Sequence, residues 1–203
     1  MAGKQLRATT HAPHPLPMLG GRVAVLGGTA TDQTTLLIRL ALRQIQQHGA
    51  VVCLDARRQR QTEVQFRLLV RGNAHYIPLP ASGEVPADLT PTVLNRMSRG
   101  LQTTTGPSPL LLCDHVREHP DWEHALAFLL NAGVVVVEFL PAAHALVFGR
   151  YDTILLLRAE PGVAEAYSRA VGHRVSAADL GGLGPEEGIL IHLARVQRVI
   201  LPS

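Results

Sequence analysis

The amino-acid sequence predicts a three-layer α/β domain around a mostly parallel sheet. Three observations carry that expectation. The strand-like segments RVAVLG (22–27), AVVCLD (50–55), PLLLCD (109–114), GVVVVEF (133–139) and DTILLL (152–157) are continuous apolar runs, which suit strands covered on both faces. Segments of helical spacing separate most of them, so strand and helix alternate along the chain. Two last strand-like runs, GILIHL and RVQRVIL, predict a C-terminal strand hairpin.

Each element follows from local chemistry. A helix is expected to begin near Thr31 or Asp32, either of which can cap it, and to run to Gln47 or His48. Leu37, Leu40, Ala41 and Ile45 lie on one face and Gly49 stops it. A polar helix over 61–70 and a short strand over 76–79 come next. Prolines and a glycine make 80–91 a loop, and a helix covers 91–102. A further helix spans 121–131, ended by Gly133. The last begins after Pro161, where proline suits the first turn, and closes at Gly172.

The 203 residues allow one domain, placed at 21–203, preceded by a flexible tail over 1–20 whose PHPLP run disfavours helix. No apolar signal region is visible in the tail, and the longest apolar stretch, 133–148, is interrupted by Glu138 and Pro141. No membrane span is expected. Cys53 and Cys113 sit in separate buried runs without further ligands at metal-binding spacing. A soluble, cytoplasmic protein without a metal site is the expectation.

Net charge is +3, and Lys4 is the only lysine. Arg57, Arg58 and Arg60 follow the second strand, and Arg96 and Arg99 lie three apart on one helix; these are the candidate nucleic-acid contacts. A solvated charged face explains them equally well, and at 4% aromatic residues the chain has little with which to stack on bases.

The chemistry-bearing segment is the loop after the first strand. It reads Gly27-Gly28-Thr29-Ala30-Thr31-Asp32-Gln33-Thr34-Thr35, to be set against the phosphate-loop pattern G-x-x-x-x-G-K-[ST]. Gly27 fits the first glycine and Thr34 the metal-binding hydroxyl. Asp32 stands at the second glycine and Gln33 at the lysine. A neutral amide cannot supply the charge that meets the phosphates, and Asp32 adds a repelling carboxylate. Gly27, Gly28, Thr31, Asp32, Gln33, Thr34 and Thr35, with Asp114 at the end of a later strand, form a vestigial nucleotide-site expectation. His115 follows Asp114 and Phe139 ends the next strand; Phe139 is expected in the core.

The order of these segments resembles the FtsK/HerA superfamily of RecA-like DNA-pumping ATPases, which includes the conjugation and type IV secretion ATPases. The resemblance covers about 20–202, from RVAVLGGTATDQTTLLIRLALRQIQQHGAVVCLD through PLLLCD, GVVVVEFLP and DTILLLRAEPGVAEAYSRAVGH to LGGLGPEEGILIHLARVQRVILP. It implies a RecA-like P-loop NTPase fold, with ATP and Mg2+ as the ligands of a working site. Gly27, Thr34 and Asp114 keep the superfamily's residue types. Gln33, His115 and Phe139 stand where it uses lysine, glutamate and glutamine. The resemblance further implies ring assembly and an arginine finger, for which Arg150 or Arg158 is the candidate.

Three functions fit these residues. One is a non-hydrolysing structural or assembly subunit of a DNA-processing or transfer machine, partnered by its own copies or by an active ATPase. A second is a weak ATP-binding switch with slow or no turnover. The third is a nucleic-acid-binding module without nucleotide.

Overall fold

The computed structural model describes residues 13–103, 106–117, 119–141, 148–193 and 195–203. Strands are β1 (His14–Pro15), β2 (Arg22–Leu26), β3 (Val51–Asp55), β4 (Ala74–Pro78), β5 (Leu110–Asp114), β6 (Val135–Phe139), β7 (Thr153–Leu156), β8 (Glu187–His192) and β9 (Arg195–Ile200). Helices are α1 (Ala30–Gln46), α2 (Arg60–Leu69), α3 (Thr90–Thr103), α4 (Pro120–Asn131), α5 (Pro161–Ala170) and α6 (Ala177–Gly181). The strands form one 9-stranded sheet in the order β1-β9-β8-β7-β2-β6-β5-β3-β4. Only β8 runs against the rest, pairing antiparallel with β7 and with β9. The expected α/β architecture and C-terminal hairpin are both present.

The apolar runs are buried on both faces. Val23, Val25, Val51, Cys53, Leu112, Val137 and Phe139 pack with Leu36, Leu37, Leu40 and Ala41 of α1 and Phe66 of α2. Their alternates point the other way: Val52, Leu54, Leu111 and Cys113 meet α3 and α4, and Ala24, Leu26, Ile154 and Leu156 meet α5 and α6. Among the described residues no helix is long and apolar enough to cross a membrane.

The structure corrects the sequence expectation in three places. Part of the expected tail is not free: His14 and Pro15 pair with Val199 and Ile200, Leu16 is buried, and Arg43 donates to the Leu16 carbonyl at 2.8 Å. Residues 1–12 lie outside the described residues. Helix α1 starts at Ala30 with Thr29 as its cap, ahead of the Thr31 or Asp32 expected. The reason is a capping box, in which the Thr29 hydroxyl accepts from the Asp32 amide and the Asp32 carboxylate accepts from the Thr29 amide. The short helix α6 is not among the elements expected from the sequence. It too opens on a capping box, Ser176 with Asp179, whose spacing was visible in the sequence.

Candidate functional site

Strands β2, β6, β5 and β3 stand side by side, and their carboxyl ends meet the start of α1. This is the end of a parallel sheet at which ligands bind. The turn from β2 to α1 is only Gly27–Thr29, since the helix has taken in Ala30, Thr31 and Asp32. Gly27 has φ +83, and a side chain there would begin 2.7 Å from the Leu157 carbonyl oxygen, so glycine is required.

Two amides of this turn are already committed. Gly28 N–H donates to the Arg158 carbonyl at 2.7 Å. Thr29 N–H donates to Asp32 Oδ2 at 2.7 Å, and the Thr29 hydroxyl donates to the same oxygen at 2.8 Å. Thr31 and Thr35 face solvent. The Asp32 carboxylate therefore serves the helix N-terminus, where negative charge is favourable.

Gln33 is buried and bridges the site. Its Nε2 donates to the Gly27 carbonyl at 3.0 Å and lies 3.4 Å from the Leu140 carbonyl. Its Oε1 lies 3.2 Å from Arg57 Nη1 and 3.1 Å from His115 Nε2. With that oxygen as acceptor, His115 carries its proton on Nε2. Burial, and then the Arg57 charge, push the His115 pKa down to about 4. His115 itself sits at φ 56.

Arg57 supplies what Gln33 lacks. Its Nε and Nη2 reach Asp114 Oδ2 at 2.9 and 2.8 Å, and Nη2 lies 3.4 Å from the Thr34 hydroxyl. Its side chain is only 9% exposed. Asp114 is fully buried; burial pushes its pKa up to about 6, against the lowering effect of Arg57 and with the neighbouring Asp55 adding to the rise. Asp55 lies beside Asp114 in register and is buried as well, accepting from the Arg58 amide at 2.9 Å and from the Tyr76 hydroxyl. The Thr34 hydroxyl also meets Thr62 Oγ1 at 3.1 Å and Gln59 Oε1 at 3.4 Å.

The arginines grouped in the sequence divide here. Arg57 belongs to the interior and not to a basic surface. Arg58 and Arg60 are exposed at the start of α2, on one face of the sheet, while Arg96 and Arg99 lie on α3 across the sheet from it. Arg158 is exposed just after β7, at the site end of the sheet, whereas Arg150 precedes β7. Phe139 is fully buried among core residues, as expected. Sequence reasoning missed the parts played by Arg57, Gln59, Thr62 and Tyr76. The one available signal was an arginine two residues beyond a strand-ending aspartate.

The residues present do not fit a Mg2+-nucleotide in the manner of a phosphate loop. Such a loop presents free backbone amides and a lysine to the phosphates, with a hydroxyl and an acid for the metal. Here the turn is short, two of its amides are satisfied internally, and a guanidinium lies between the hydroxyl and the acid.

No protein-family model matches the chain. No curated protein matches it either. Among solved structures it is similar to the DNA-packaging ATPase of Sulfolobus Turreted Icosahedral Virus, at 10% identity and TM-score 0.66, over 88% of this chain and 96% of that one. It is also similar to the genome-packaging NTPase of Sulfolobus turreted icosahedral virus 2 in complex with ATP-gammaS, at 10% identity and TM-score 0.60, over 91% and 98%. A third similarity is to the flagellar accessory protein FlaH of Methanocaldococcus jannaschii, at 11% identity and TM-score 0.50, over 86% and 78%. At these identities the likeness is one of fold: a mostly parallel α/β sheet of the RecA-like P-loop NTPase type.

Proposed function

We propose that this chain is a non-hydrolysing subunit on a P-loop fold, serving assembly within a machine that packages, processes or transfers DNA. The observation that carries the reading is the position of Arg57 between Asp114 and Thr34. Those two side chains are the remnants of metal chemistry, and both already face an internal cation. The committed amides of Gly28 and Thr29 add to it. His115 offers no general base matched to neutral pH, because its pKa is held near 4 and its Nε2 proton points at Gln33.

The DNA context rests on likeness. Two of the similar structures are viral genome-packaging enzymes, and the order of segments resembles the FtsK/HerA superfamily. Partners on this reading are further copies of the chain or an active ATPase of the same fold. A weak ATP-binding switch is the second reading, favoured by the positive charge that Arg57 brings where Gln33 has none.

A thermal melt of the full chain with and without millimolar Mg-ATP tests the proposal, together with a phosphate-release assay. A ligand that binds only the folded state raises the melting temperature. The expected outcome is an unchanged melting temperature and no phosphate release. A clear rise without turnover moves the conclusion to the switch, and turnover sinks both readings.

A further inference from the structure

The environment of Arg57 is a cage of oxygens. Its guanidinium faces Asp114 Oδ2 at 2.8 and 2.9 Å, Gln33 Oε1 at 3.2 Å, and the Thr34 hydroxyl and Ala30 carbonyl each at 3.4 Å. Carboxylate, hydroxyl, amide and carbonyl oxygens are the donors that hard divalent cations take. The fit to a guanidinium is incomplete. Asp114 Oδ1 is buried and has no hydrogen-bond partner, although buried polar atoms almost always find one.

The segment that carries Arg57 is pinned on both sides. Ala56 N–H donates to the Asp114 carbonyl at 2.9 Å, and Arg58 N–H donates to Asp55 Oδ1 at 2.9 Å with Arg58 at φ 53. A left-handed residue directly after Arg57 turns the chain back toward α2. The backbone is thus fixed on either side of Arg57, whose side chain points inward onto Asp114.

We propose that Arg57 is a built-in cation that closes this site: it stands where a divalent cation would lie between Asp114 and Thr34, and withdrawing it leaves a hard-cation site formed by Asp114, Thr34 and Gln33. The proposal rests on the non-hydrolysing reading above and supplies its physical cause. The acid and hydroxyl of the fold are retained because they ligate Arg57, which ties the β3–α2 connection to α1 and β5. The guanidinium meets Asp114 through Oδ2 only and leaves Oδ1 unpartnered in the interior. Hard divalent cations take carboxylates in monodentate or bidentate fashion, so a divalent cation in place of Arg57 offers Asp114 a ligation mode in which both oxygens are used.

The test uses the full chain and Mn2+ alone as the probe. Arg57→Ser, Arg57→Gln and Arg57→Lys are compared with the unaltered chain by electron paramagnetic resonance of free Mn2+ and by melting temperature. The Ser and Gln variants should bind one Mn2+ roughly tenfold or more tighter than the unaltered chain, with a rise in melting temperature. The Lys variant keeps the charge and should behave like the unaltered chain. Adding Asp114→Asn to Arg57→Gln should abolish the gain. If the Ser variant does not fold alone, its refolding from urea with and without Mn2+ gives the same information: Mn2+-dependent recovery supports the proposal. Equal Mn2+ binding by folded variants and unaltered chain overturns it, and so does failure to refold in both conditions. The two layers separate cleanly. Stabilisation of the unaltered chain by Mg-ATP sinks the parent reading, whereas an inert unaltered chain with inert Ser and Gln variants sinks only the role of Arg57.

Discussion

The Arg57 guanidinium meets the Asp114 carboxylate through two nitrogens on one oxygen, Nε at 2.9 Å and Nη2 at 2.8 Å, with Asp114 wholly buried. The pair joins two strand ends, because Arg57 follows β3 and Asp114 closes β5. Its energetic meaning differs from that of a surface ion pair. Taking both charges out of water is costly, so the pair as a whole adds little stability, but removing one partner strands the other.

Arg57→Met is accordingly expected to destabilise the fold by about 3–5 kcal/mol, since it leaves Asp114 without its counterion. Adding Asp114→Asn should recover part of that loss. Urea unfolding of the two single variants and the double variant forms a cycle that isolates the coupling. Simple additivity of the two single effects would mean that the ion pair is energetically idle.

The capping box at the start of α1 makes its own prediction. Asp32→Ala removes the acceptor for both the Thr29 amide and the Thr29 hydroxyl. A loss of about 1 kcal/mol is expected, within the 0.5–2 kcal/mol range of cap removals. The decisive comparison is with Thr31→Ala, which faces solvent and should be nearly neutral. Equal effects in urea melts would mean that Asp32 does not cap the helix.

These two sites show what the sequence made legible and what it hid. The sheet and its helices followed from unbroken apolar runs such as Val51–Leu54 and Leu110–Cys113, because burial on both faces is a property of composition. That position 33 holds a glutamine, where the phosphate-loop pattern has lysine, was legible too. The start of α1 was missed because Thr29, Thr31 and Asp32 are all good caps, and only the reciprocal bond between Thr29 and Asp32 decides among them. Arg57 was read with Arg58 and Arg60 because charge alone does not say which way a side chain points. The left-handed turn at Arg58 and the burial of Asp114 set that direction, and both depend on how β3 and β5 pair.

His115 and Asp114 pull the pH dependence of stability in opposite directions. His115 falls from 6.5 to about 4 on folding, so the unfolded chain holds its proton more tightly, and stability is lost as pH drops below 6.5. Asp114 rises from 3.8 to about 6, so the folded chain holds that proton more tightly, and stability is regained as pH drops from 6 toward 3.8. His115→Asn, a replacement that tolerates the positive φ, removes the first effect and leaves the second. Its melting temperature, relative to that of the unaltered chain, should climb steadily from pH 6.5 down to pH 4. Parallel curves for the two proteins would show that His115 does not titrate between the two states as described.

The remaining prediction concerns placing a lysine at position 33, where the phosphate-loop pattern has one. Gln33→Lys places an ammonium where the amide now donates to the Gly27 carbonyl and faces Arg57 at 3.2 Å. Two positive charges would then share a buried pocket, and His115 would lose its acceptor. Destabilisation by about 2–4 kcal/mol is expected from like-charge burial and lost hydrogen bonds. No Mg-ATP stabilisation should appear, because the Gly28 and Thr29 amides stay committed and Arg57 stays on Asp114. Combining Gln33→Lys with Arg57→Gln and Asp32→Gly removes each obstacle in turn: the second cation, the carboxylate at the loop, and the lock on the Thr29 amide. Melting each variant with and without Mg-ATP orders these obstacles. A nucleotide response already present in Gln33→Lys alone would mean that a lysine at this position suffices for binding, and that the internal bonds of the turn yield readily to a phosphate.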